Sequence, residues 1–126
     1  MCIRDRAARP VLEVADFAGE SFVSLARDDP YRQQIDAVFE QAGVQRQLHL
    51  ETHSAVAVCA MVQHGLGVAI VNPLTARACA GPQLVVRPLA FSIPFQVHAL
   101  LPLHRPAVAE VQWLVDALAA EVAAVG

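Results

Sequence analysis

Lysine is missing from this chain: all nine basic residues are arginines, set against 12 acidic ones for a net charge of −3. With no lysine there is no amine for Schiff-base chemistry or for a serine–lysine pair. No apolar run approaches the roughly 20 residues of a membrane helix, and no apolar stretch follows the basic N-terminus to make a signal peptide. The three cysteines, Cys2, Cys59 and Cys79, are an odd number without metal-ligand spacing. They fit neither a disulfide framework nor a zinc site, and a reducing, cytoplasmic setting is expected. Positive charge is concentrated only at Arg4, Arg6 and Arg9, so this chain alone should not grip nucleic acid.

What is present is apolar mass, 56% of 126 residues. That suffices for one domain, or for a domain and part of another, and leaves little room for disorder. Phe22–Leu25 reads as a strand. Asp28-Asp29-Pro30 then opens a helix carrying Tyr31, Ile35, Val38 and Phe39 at helical spacing, closed at Ala42-Gly43. A second strand, Gln47–Thr52, runs into a helix capped by Ser54 and ended by Gly65. A third strand over Val68–Val71, apolar throughout and so expected to be covered on both faces, meets Asn72-Pro73, an N-cap followed by a proline suited to the first helical position.

The next helix runs to about Ala80, and Leu84–Leu89 is read as extended. A strand over Phe95–Leu101 and a long helix opened by Arg105-Pro106 follow, with an apolar stripe from Val108 to Val125. Strands alternating with helices predict an α/β fold with a largely parallel sheet.

Two helix starts, at Ser54 and Asn72, stand at the carboxyl ends of predicted strands, where free backbone N–H groups and the helix dipole favour an anion. Each is equally readable as a plain structural cap. Glu51 is a candidate partner for an ammonium group, against the alternative of a solvated strand position. His49, Glu51 and His53 alternate along one strand, but their spacing is not that of a helical zinc motif, and no metal site is assigned. Gly65-Leu66-Gly67 leads from helix to strand, the reverse of a dinucleotide loop, so no nucleotide cofactor is expected. Ser54 lies in no nucleophile elbow and its neighbour His53 is merely adjacent in sequence. No catalytic residues are assigned, and an enzyme is not expected.

Phe22-Val23-Ser24-Leu25, Asp29-Pro30-Tyr31-Arg32, Glu51-Thr52-His53-Ser54 and His64-Gly65-Leu66-Gly67 through Asn72-Pro73 together resemble the effector-binding domain of LysR-type transcriptional regulators. Asn72–Ala76, Leu84–Arg87 and Pro102–Pro106 suggest the branch that governs lysine biosynthesis in response to diaminopimelate. The resemblance, over roughly Val11 to Ala120, implies a type 2 periplasmic-binding-protein-like fold. Residues 11–90 would form effector-binding subdomain II, and residues 91–126 the strand and helix returning to an incomplete subdomain I. Residues 1–10 are read as an unassigned junction, the product of a truncated gene model or a joining artefact.

The resemblance further implies a small-molecule effector, a carboxylate or amino acid such as diaminopimelate or lysine, held between subdomains near Thr52, His53 and Ser54. Asn72 and Pro73 could supply a second wall. It implies a homo-oligomeric parent, with the Tyr31–Phe39 helix available for dimer contact as well as for core. DNA would be bound only through a winged helix that these residues do not include. The competing readings are a solute-binding protein lobe and an inactive fragment. On the fragment reading the C-terminal helix exposes an apolar patch larger than the few hundred Å² usual for a monomer.

Overall fold

The computed structural model describes residues 8–106 and 108–125. Residues 1–7 of the expected 1–10 junction, Arg4, Arg6 and Cys2 among them, lie outside the described residues. A short 3-10 turn, Val14–Phe17, leads into β1 (Ser21–Leu25), α1 (Pro30–Ala42), β2 (Gln47–Thr52), α2 (Ala55–Gln63), α3 (Pro73–Cys79) and α4 (Ala109–Ala123). The chain divides between Pro94 and Phe95 into two compact units.

Local chemistry sets the helix limits in the first unit. The Asp29 carboxylate accepts from the N–H groups of Tyr31 (2.8 Å) and Arg32 (3.2 Å), with Pro30 behind the cap. Gly43 ends α1 at φ +64°, a left-handed conformation that costs glycine little. β1 and β2 pair in parallel, and α1 makes the crossover between them. The register slips by one between Phe22 and Val23, opposite Leu48 and Leu50, so His49 has no partner residue on β1.

β1 is the buried centre of this unit. Phe22 packs with Phe17, Ile35, Phe39 and Ile70, and the three phenyl rings meet edge to face at 5.6–6.1 Å. On the other side Val23 and Leu25 pack against Val58 of α2.

Three expected strands come out differently. Val68–Val71 contributes one parallel bridge, Phe22 with Val68, made by Val23 N–H to the Val68 carbonyl and Val68 N–H to the Ser21 carbonyl, both 2.9 Å. Its side chains nonetheless cover both faces, Ile70 in the phenyl cluster and Ala69 and Val71 on the Val58 side. Packing, more than a ladder, places this segment. Leu84–Leu89 makes backbone bridges at its ends, Leu84 to Gly81 and Leu89 to Leu12. Phe95–Leu101 is not a strand, since no backbone among the described residues forms a ladder with it.

In the second unit α4 begins at Ala109, later than Pro106, with Val108 as N-cap and no side-chain cap bond. No described residue of α4 is buried, and Leu114 and Leu118 of its apolar stripe are exposed. No helix among the described residues is long and apolar enough to cross a membrane.

Gly67 is the tightest of the described glycines. Its φ is +150°, and a Cβ there would lie 2.4 Å from the Ser21 carbonyl oxygen that Val68 N–H uses. Gly67→Ala should therefore cost about 3 kcal/mol, combining backbone strain with damage to the bridge. Gly81→Ala, which meets nothing within 4 Å and has no positive φ, should stay within about 0.5 kcal/mol of wild type. Urea denaturation of both variants checks the difference, and equal stabilities would contradict it.

Candidate functional site

Parallel strands deliver their next loops to the same edge, so Ala26–Asp29 after β1 and Thr52–Ser54 after β2 lie at the carboxyl end of the sheet. Thr52 is half-buried there and its hydroxyl accepts from Ser54 N–H at 3.3 Å. Ser54 caps α2, its hydroxyl accepting from Ala57 N–H at 3.3 Å, while its carbonyl accepts from Val58 N–H at 3.0 Å. The first-turn N–H groups of Ala55 and Val56 make no hydrogen bond among the described residues, the orphan donors that every helix start presents. His53, 81% exposed in its side chain, has Nδ1 3.7 Å from a carboxylate oxygen of the exposed Asp28.

Asn72 caps α3 through its side-chain oxygen, 2.9 Å from Thr75 N–H, with Pro73 in the first turn. Thr52, His53 and Ser54 thus share one turn, and Asn72 and Pro73 form another, at the start of a helix that packs against α2. None of these five residues lines the apolar cavity of about 150 Å³ in this unit. That cavity lies among Cys59 and Val62 of α2, Ala76 of α3, the Ile70 segment and Leu84–Arg87.

The residue that organises the edge is one that sequence patterning missed. Arg32, on α1, is 2% exposed. Its Nε donates to both Asp36 oxygens at 2.8 Å, and an NH donates to the Leu25 carbonyl at 2.7 Å and lies 3.2 Å from a Glu51 oxygen. Glu51 also faces the exposed Arg27 at 3.7 Å. Glu51 is exposed, as a solvated strand position predicts, and its carboxylate also pairs with the buried Arg32 guanidinium. The one available signal was the i,i+4 spacing of Arg32 and Asp36.

Arg46 pairs with Asp36 as well and lies over the rings of Phe39 (4.2 Å) and Phe22 (4.7 Å). Burial, and then the nearby Arg32, pull its pKa down to about 10, which keeps it charged at neutral pH.

His49, Glu51 and His53 do not act as a set. His49 sits at the register slip near the Gln47 side chain, Glu51 faces Arg32, and His53 faces Asp28. Among the described residues no three His, Cys, Asp or Glu side chains are grouped to hold a metal ion. Arg32→Ala should destabilise the protein by about 3 kcal/mol, since it strands the Leu25 carbonyl and weakens the hold on two carboxylates. Glu51→Gln should cost about 1 kcal/mol, because the amide oxygen can still accept from Arg32 and the Asp36 carboxylate still answers that guanidinium. Thermal or urea unfolding separates the two, and an Arg32→Ala protein as stable as wild type would contradict this account.

Residues 2–123 match the family model described as LysR substrate binding domain. The chain is 49% identical over 106 residues to the transcriptional activator protein LysR of Escherichia coli (strain K12), covering 84% of this chain and 34% of that protein. It is 30% identical over 98 residues to the regulatory protein NocR of Agrobacterium tumefaciens (strain T37), covering 78% of this chain and 33% of that one. It spans about a third of the length of these curated relatives.

Among solved structures, the regulatory domain of CcmR from Synechocystis PCC6803, in complex with 2-PG, superposes with a TM-score of 0.65 at 14% identity. That match covers 90% of this chain and 55% of that one, a likeness of fold. The fold is accordingly α/β and of the type 2 periplasmic-binding-protein-like kind. With a family model matched along almost its whole length, and regulators as its curated relatives, the chain belongs to the LysR substrate-binding domain family.

Proposed function

We propose that this chain is the effector-sensing part of a LysR-type regulator and that its effector is a small carboxylate, an amino acid of the diaminopimelate or lysine type. The carboxylate would meet the N-terminus of α2 at Thr52, His53 and Ser54, with Asn72 and Pro73 as a second wall and the remaining contacts supplied across the cleft between subdomains. The observation that carries this reading is the capped start of α2 at the carboxyl edge of the sheet, whose Ala55 and Val56 amides are unbonded among the described residues. A helix dipole there favours a negative group. Charged side chains of both signs stand at this edge, Arg27 with Glu51 and Asp28 beside His53, a setting suited to an amino acid with its own two charges.

The match to the transcriptional activator protein LysR and the 2-PG named for the CcmR regulatory domain support a sensing role over a catalytic one. Effector binding would shift the balance between subunit arrangements of a homo-oligomeric parent in the cytoplasm, and DNA would be met by a winged helix outside these residues.

Titration calorimetry of the full-length parent with diaminopimelate and with lysine tests this. One of the two should bind, and Ser54→Ala should weaken Kd by about tenfold, or about 1.4 kcal/mol. The lost cap itself should lower stability by about 1 kcal/mol. A folded Ser54→Ala protein with unchanged Kd would remove the α2 turn from the site. Silence toward both amino acids would overturn the effector class.

A further inference from the structure

α2 and α3 pack together, and each brings a thiol to the seam. Cys59, on α2, is 4% exposed, while Cys79, the last residue of α3, is half-buried, and both are free. Their neighbours fix which way they face. Cys59 and Val62, three apart on α2, line the apolar cavity, and so does Ala76, three before Cys79 on α3. Residues three apart share a helix face, so the two cysteines occupy the faces turned toward one another. Burial, together with the adjacent Cys79 thiol, pushes the Cys59 pKa up to about 11. At neutral pH Cys59 is a protonated, apolar neighbour, and Cys79 is the thiol that solvent reaches.

We propose that Cys59 and Cys79 form a reversible disulfide when a hydroperoxide reaches the half-buried thiol, tying α2 to α3. In the first step the Cys79 thiolate attacks one peroxide oxygen. An S–O bond forms, the O–O bond breaks, and the departing hydroxide takes up a proton as water, leaving a sulfenic acid. In the second the Cys59 sulfur attacks the Cys79 sulfur. The S–S bond forms, the S–O bond breaks, and the leaving hydroxide carries off the Cys59 proton as water. The sulfur pair loses two electrons and the peroxide gains them.

The bond would act on the ends of both helices. Ser54 caps the start of α2 and Asn72 the start of α3, so a tie between the helix bodies fixes the two turns relative to each other. That consequence rests on the effector reading above; formation of the bond does not.

The test uses the chain carrying Cys2→Ser, treated with hydrogen peroxide, blocked by alkylation and digested with trypsin. Cleavage after Arg46 and Arg77 places Cys59 and Cys79 on separate peptides unless they are bridged. The expected result is a bridged pair that dithiothreitol releases and that Cys79→Ser abolishes. Full alkylation of both cysteines after peroxide, or Cys79 passing to sulfinic acid without a bridged pair, would overturn the proposal. Calorimetry of the oxidised and reduced full-length parent reads the consequence separately. A changed Kd supports it, while a bridge with unchanged Kd removes the coupling and leaves the bond.

Discussion

The Arg32 guanidinium reaches from α1 to the final carbonyl of β1, at Leu25, and to the Glu51 carboxylate near the end of β2. A charge this deeply buried costs several kcal/mol unless its donors are answered, and here a carbonyl and two carboxylates answer them. The same contacts fix the crossover helix against both strand ends. The loops that carry Arg27, Asp28 and Thr52–Ser54 leave from those ends, so their placement is inherited from Arg32. A lysine could not substitute, since its single ammonium lacks the planar fork that spans partners in several directions.

Around that edge the interior divides by the alternation of β1. Phe22 anchors an aromatic cluster beneath α1, and Arg46 closes it by lying over two of the rings. Val23 and Leu25 anchor the α2 side. Ser24, between them, is 2% exposed, and its hydroxyl has no hydrogen-bond partner among the described residues. Gly67 permits the third segment to approach β1 closely enough for backbone pairing. The strand pair and its two helices thus frame the unit, and the turns proposed to meet the effector stand on its rim.

Features decided within a few residues were legible in the sequence. Asp29-Pro30, Gly43, Ser54 and Asn72-Pro73 each act on the nearest backbone, and each forms the cap or stop its chemistry predicts. Features decided at a distance were not. The strand character of Val68–Val71 and Phe95–Leu101 depends on which backbone lies alongside, and apolar composition says nothing of that. Burial of Arg32 depends on α1 folding over two strand ends, so periodicity that marked Ile35 and Phe39 as core passed over the charged residue beside them. The register slip at His49 likewise interrupts the period-two reasoning that grouped it with Glu51 and His53. For the candidate site the caps were readable, whereas the charged surroundings of the α2 turn emerged only from tertiary placement.

The most direct measurement is an amide NMR titration of the full-length parent with diaminopimelate, following every assigned N–H of this domain. The account predicts that the largest shifts fall on Ala55 and Val56, whose amides have no partner among the described residues, with smaller ones at Thr52–Ser54. Shifts concentrated instead at Ile70, Leu84 and Val85, around the apolar cavity, with the α2 turn unmoved, would contradict it.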